Sequence, residues 1–195
     1  GIALAALDRH DEAIESFRTA IERDPSHHEA HFHLAQALFI TGQGDTAAAN
    51  YRESVTHYLE TLKRKPDHAE AHHHLGACLV ALGRIGEAVV CYRRSLLLRP
   101  DSVDTHSNLA AVLVARHDFD GAIRHIKLAL RGVPRSVVLR VRLADAHAAK
   151  GQFDKAVEVA KKALVLAVQG ADGAVAQQIR ARIVQYERQM EVGTR

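Results

Sequence analysis

The sequence predicts an all-α protein built as a stack of antiparallel helix pairs, and three observations lead to this fold class. The prolines of the chain are spaced by 41, 34 and 34 residues, at Pro25, Pro66, Pro100 and Pro134. Residues 69–102 carry apolar side chains at helical spacing in two segments, with Gly83 between them and a proline at the end. Small residues recur in phase with the prolines. Self-similarity at a fixed period is typical of repeat arrays, whose neighbouring helix pairs bury one another.

The repeated positions resemble the tetratricopeptide repeat. The family pattern is an aromatic or large residue, Leu-Gly, a large residue, Ala, an aromatic residue and Pro. In residues 69–102 it is filled by His72, Leu75-Gly76, Leu79, Ala88, Tyr92, Ser95 and Pro100. Five such units in phase cover roughly residues 1–168. The resemblance implies a right-handed α-solenoid, the superhelix of this family, and a bacterial source.

The spacing divides the chain into the units of a single array. We expect a partial repeat at 1–27, a long repeat at 28–68, and repeats at 69–102, 103–136 and 137–170. Residues 171–191 are expected to form a capping helix, because an open stack needs a solvated end. Because residue 1 enters in the middle of a first helix, we expect the chain to be a fragment of a longer one.

The long unit contains seven residues more than the family period. Alignment places Ala47 and Tyr51 in the positions that Ala88 and Tyr92 hold in the next unit. The second helix is then extended at its carboxyl end, by about 10 Å. This alignment predicts that the segment around Tyr58 projects beyond the neighbouring helices.

The composition excludes several classes of partner. The formal net charge of +3 is too small to indicate nucleic-acid binding. The apolar runs of the chain, such as residues 163–168, are far shorter than the ~20 residues that span a bilayer. Two cysteines do not make a disulfide framework, so we expect a reducing, cytoplasmic compartment.

The family resemblance implies binding of a protein or peptide on the concave surface formed by first helices. Carried over by register, the candidate groove residues combine apolar anchors, amides and charges. They are Phe32, His33, Gln36, Phe39, Glu70, His73, His74, Asp104, Asn108, Arg142 and Asp145. Such a surface suits an extended or helical segment. His33, His73 and His74 predict binding that is sensitive to pH near 6.5.

Fourteen histidines are the unusual feature of the composition. His27 with His31, and His68 with His72, have the i,i+4 spacing that can hold Zn²⁺ or Ni²⁺. The alternative is that His31, His72 and His106 pack in the aromatic position that opens each unit, where Arg140 stands in the last one. No cysteine or carboxylate completes a tetrahedral set, so we expect no metal site and no cofactor.

No sequence motif indicates catalysis. The chain shows no phosphate-binding glycine loop and no GxSxG motif, so we expect it not to be an enzyme. Two functions remain open at this point. One is a protein-interaction scaffold, and the other is the repeat portion of a larger enzyme, for example a glycosyltransferase of the O-GlcNAc transferase type, whose catalytic domain lies outside these residues.

Overall fold

The computed structural model describes residues 1–42 and 44–193, and every regular element among them is helical. Eleven α-helices follow one another, with a short 3-10 helix at Gly44–Thr46 before the fourth. They are α1 (Ile2–Ala6), α2 (His10–Arg23), α3 (His28–Thr41), α4 (Ala47–Arg64), α5 (Ala69–Ala81), α6 (Ile85–Leu98), α7 (Val103–Ala115), α8 (Phe119–Gly132), α9 (Val137–Ala149), α10 (Phe153–Gln169) and α11 (Gly173–Gly193). The predicted all-α fold of helix pairs is confirmed.

The chain forms two compact units, Gly1–Pro100 and Asp101–Arg195. Unit 1 contains the pairs α1/α2, α3/α4 and α5/α6, and each first helix after α1 also packs on the second helix before it. Unit 2 contains α7/α8 and α9/α10, and α11 packs on α10 as the predicted cap. Within the described residues, no helix is both long and apolar enough to cross a membrane.

The helix pairs meet where the sequence predicted, at Gly42, Gly83, His117-Asp118 and Gly151. Gly83 and Gly151 adopt φ of 73° and 76°, the left-handed region that glycine enters without steric cost. His117 occupies the same region with φ of 60°. Asp118 follows as the N-cap of α8 and accepts a hydrogen bond from the Gly121 amide at 2.9 Å.

Small side chains mark the close helix crossings. Ala13, Ala88, Ala122 and Ala156 hold equivalent positions on second helices, and each is fully buried. Where two helices approach closely, a methyl group is all that the space allows. The predicted register is therefore confirmed in the repeats that contain these four residues.

The predicted register of the long repeat, residues 28–68, was wrong in its second helix. Ser54 and Tyr58 are fully buried in α4, whereas Ala47 and Tyr51 are partly exposed. Tyr58 precedes Tyr92 by 34 residues and so takes the aromatic position. The seven additional residues lie before Tyr51, in the 3-10 helix and the first turn of α4. The segment around Tyr58 belongs to the core and does not project.

Candidate peptide-binding surface

Two histidines that the sequence offered as metal ligands begin helices instead. His27 Nδ1 accepts a hydrogen bond from the Ala30 amide at 3.3 Å, and His68 Nδ1 accepts one from the Ala71 amide at 3.2 Å. Ser102 and Ser136 do the same for α7 and α9 at the matching positions of later repeats. These histidines therefore serve as N-caps, because each satisfies an amide that the helix leaves without a partner.

The residue that opens each first helix is tied to the preceding proline. His31 Nε2 lies 3.1 Å from the Pro25 carbonyl oxygen, and His72 Nε2 lies 3.0 Å from that of Pro66. Arg140 donates to the Pro134 carbonyl in the same way. A long side chain with a terminal N–H replaces the family's aromatic residue here. No group of three or more His, Cys, Asp or Glu in the described part of the chain could hold a metal ion.

Phe32 lies in the core of unit 1 and is 6% exposed. Its ring stacks on His68 with centroids 4.6 Å apart and contacts Tyr58 at 5.8 Å. The prediction that Phe32 offers an exposed apolar anchor was therefore wrong. Phe39 is partly exposed and lies against Tyr51, with ring centroids 5.4 Å apart.

His74 lies half-buried among aromatic rings on α5. It stacks on Tyr58 at 5.9 Å and contacts His73 at 5.0 Å, while its Nε2 lies 4.0 Å from the Glu70 carboxylate. Burial, followed by the neighbouring His73, lowers the pKa of His74 to about 4, and Glu70 opposes this shift. His74 therefore does not titrate near pH 6.5, contrary to the sequence-based expectation.

Two further candidates of unit 1 border a cavity between α1 and α3. His33 and Gln36 line this cavity of about 310 Å³ together with Ile2, Ala5 and Ile40. The His33 ring also stacks on Phe17 at 5.7 Å. These two side chains are partly exposed and remain on a first-helix surface.

A cleft of unit 2 lies between the first helices α7 and α9 and has a volume of about 670 Å³. Asp104 and Ser107 line it from α7, and Val138 and Arg142 line it from α9. Arg142 Nη1 donates to Ser107 Oγ at 2.6 Å. This bond holds an exposed guanidinium group at the edge of the cleft. Val103, Val133, Pro134 and Leu139 supply further apolar lining, and Arg135 and Ser136 supply further polar lining.

Arg142 also borders a second cavity of about 290 Å³, lined by Ala110, Val114 and Ile126. Asp145 lies at the rim of that cavity, but its carboxylate faces the cap. Tyr186 donates a hydrogen bond to Asp145 Oδ1, and Arg182 Nε lies 3.4 Å from the same atom. Asp145 therefore ties α9 to α11.

The seven candidates before residue 100 lie in unit 1, and the four after it lie in unit 2. The structure brings Asp104 and Arg142 to one cleft, whereas Asn108 is half-buried on α7 and does not line it. Sequence reasoning missed Arg135 and Val138, which also line the cleft. The signal for both was Pro134, because it places the residues that follow at the start of a first helix.

Comparisons with known proteins agree with this architecture. Three family models described as tetratricopeptide repeat match residues 1–55, 69–102 and 113–183. No curated protein sequence matches the chain.

Three solved structures illustrate the structural likeness. MamA superposes with a TM-score of 0.79 at 20% identity, covering 87% of this chain and 95% of its own. YrrB, described as a TPR protein with an unusual peptide-binding site, gives 0.76 at 17% identity, covering 92% and 87%. TTC0263, a TPR protein from Thermus thermophilus, gives 0.63 at 22% identity, covering 95% and 94%. At these identities the likeness shows the fold alone.

Proposed function

This chain belongs to the tetratricopeptide repeat family, and from that premise we propose that it is a non-catalytic scaffold that binds a peptide or protein segment on its first helices. Repeats of this family support protein interaction in general. The observation that carries the proposal for this chain is the cleft between α7 and α9. Its apolar walls suit one buried side chain of a ligand, and Arg142 can donate to a carbonyl or carboxylate beside it.

Arg142 suits this role because its fixed position costs little entropy on binding. The bond to Ser107 holds the guanidinium group in place, and in the described part of the chain no carboxylate forms an ion pair with it. A preorganised, exposed donor next to an apolar pocket is the arrangement that interface hot spots use. The fold of YrrB, which is described as having a peptide-binding site, supports the proposal at the level of the fold.

The proposal is tested by selecting peptides from a random display library against the whole chain. The selected peptides are then titrated against Arg142→Ala and Val138→Asp, with Arg124→Ala as the control. Arg124 is an exposed arginine on α8 of the same unit and lines neither cavity. We expect both cleft variants to weaken binding by about tenfold or more and the control to leave it unchanged. Equal binding by all four proteins would reject the cleft as the site.

A further inference from the structure

Two histidine rings meet between the helices of the long repeat. His31 on α3 and His57 on α4 place their Nδ1 atoms 2.8 Å apart, with ring centroids 5.0 Å apart. His31 is 7% exposed, and the side chain of His57 is 18% exposed. At this distance the two nitrogens share one hydrogen bond, so one ring must donate and the other must accept.

The neighbouring groups decide which ring donates. The Pro25 carbonyl oxygen can only accept, so the proton of His31 is at Nε2, 3.1 Å from that oxygen. The Nδ1 atom of His31 is then a bare acceptor. His57 must carry its proton at Nδ1 and donate it to His31. The pair is therefore made of two neutral rings in opposite tautomers.

The same arrangement recurs in unit 2. His106 Nδ1 and His125 Nδ1 lie 2.9 Å apart, with ring centroids 5.1 Å apart. His125 follows His57 by 68 residues, two lengths of the 34-residue period. Cys91 stands at the matching position between them. The pairing thus follows from two fixed positions of the repeat, one on each helix.

The charged groups around the first pair are Glu53 and Glu60 on α4 and Arg18 on α2. Glu53 Oε1 lies 3.8 Å from His57 Nε2, and the Arg18 guanidinium holds the same carboxylate at 3.0 Å. A first proton can enter at His57 Nε2, where it faces Glu53 and leaves the bond between the rings intact. A second proton must enter at His31 Nδ1, where it faces the proton that His57 Nδ1 already carries.

We propose that the His31–His57 pair is an acid-sensitive latch, which holds α3 against α4 when it is neutral or singly protonated and opens when both rings are protonated. Two imidazolium rings at this separation repel each other, and neither can accept the hydrogen bond. The latch opens locally, because Ser54 Oγ, fully buried, still donates to the Ala35 carbonyl at 2.9 Å. The first-helix surface that carries His33 and Gln36 would move with α3.

The direction of the pKa shift of His57 agrees with this proposal. Burial, followed by the charge of His31, lowers the pKa of His57, whereas Glu53 and Glu60 oppose this shift. The unfolded chain takes up protons at both histidines as the pH falls below about 6.5. The folded pair takes up fewer protons than the unfolded chain does. Its contribution to the free energy of unfolding is therefore complete above about pH 6.5 and is lost progressively below that pH.

The test compares the urea unfolding of the parent protein and His57→Gln between about pH 7.5 and 5. Glutamine does not titrate: its amide nitrogen donates to neutral His31 Nδ1, and with the amide turned over its oxygen accepts from protonated His31, so His31 can take up a proton without repulsion. His28→Gln is the matched control, because it removes a histidine from α3 and leaves the pair intact. As the pH falls below 6.5, the unfolding constant of the parent and the control should rise about tenfold more per pH unit than that of His57→Gln.

Ring-nitrogen NMR of the parent protein gives a second readout that needs no variant. At neutral pH we expect the proton of His31 at Nε2 and that of His57 at Nδ1. Equal pH dependence of the parent and His57→Gln would overturn the latch, and so would two rings of the same tautomer. If His57→Gln does not fold, the tautomers and the number of protons taken up by the folded pair still decide.

Discussion

Gly76 lies beneath the ring of Tyr92, and this single contact can be tested. A Cβ atom at Gly76 would lie 2.8 Å from Tyr92 Cε1, closer than real Cβ atoms approach. Tyr92 is 2% exposed and cannot move aside freely. We expect Gly76→Leu to overpack the crossing of α5 and α6 and to lower the free energy of unfolding by about 1 to 3 kcal/mol. Urea denaturation followed by circular dichroism measures the change.

Gly86→Leu is the matched control. Gly86 lies on α6, and no atom would stand within 4 Å of a Cβ added there. Leucine favours a helix more than glycine does, so this variant should be as stable as the parent or more stable. A Gly76→Leu protein that unfolds at the same midpoint as the parent would show that the contact with Tyr92 is not restrictive.

At the level of single residues, packing was predictable from the sequence and polar roles were not. Fully buried alanines such as Ala88 and Ala122 follow from the repeat period, because helix crossings recur at that period. The roles of His27 and His31 do not follow from it. The i,i+4 spacing places both on one helix face, but the ring of His27 turns back to cap the helix, and that of His31 turns to the Pro25 carbonyl.

Helix α4 shows why one element was placed wrongly. The sequence contains two pairs of a small residue followed by a tyrosine, Ala47 with Tyr51 and Ser54 with Tyr58, seven residues apart. Seven residues nearly complete two helical turns, so either pair can face the core. The choice depends on where the additional residues are accommodated. They lie at the exposed amino end of α4, where no neighbouring helix needs to be displaced.

Two substitutions distinguish these registers. Tyr58 is fully buried, so Tyr58→Ala should leave a cavity and cost about 3 to 5 kcal/mol of unfolding free energy. Tyr51 is partly exposed and donates to the Gly42 carbonyl at 2.8 Å, so Tyr51→Ala should cost about 1 kcal/mol. Denaturant titrations of both variants measure the difference. The reverse order would support the alignment that places Tyr51 in the core.

The candidate site was predictable as a surface and less so as a set of residues. The candidate cleft lies between two first helices, as the register predicted, and Asp104 and Arg142 both line it. The prediction for Phe32 was wrong because the face of α3 turns inward at that position, where His68 and Tyr58 cover the ring. A helical period gives the direction of a side chain, but it does not say which neighbouring ring covers it.

At the scale of the whole molecule, unit 2 has a core of its own. Ala156, Ala160 and Ala163 on α10 pack against Ile179 and Tyr186 of α11. We therefore expect a fragment of residues 101–195 to fold without unit 1 and to unfold cooperatively. Circular dichroism and a denaturant titration test this expectation.

A fragment of residues 101–170 is the control, because it lacks α11. Without that helix the apolar face of α10 is exposed to water, and Asp145 loses its bond from Tyr186. We expect this fragment to lose most of its stability. If both fragments are equally folded, α11 does not act as a cap, and if neither folds, unit 2 depends on residues before 101.

Within each unit, a helix packs mainly on the helices next to it along the chain. This arrangement has a consequence for the rate at which the chain folds. Contacts between segments that are close in sequence need only short loops to close, and chains with such contacts fold fastest, within microseconds to milliseconds. During synthesis, a helix pair can find its partners soon after it is made, before the rest of the chain exists. The additional residues before Tyr51 lengthen the connection between α3 and the buried part of α4 only slightly, so we expect them to slow folding little.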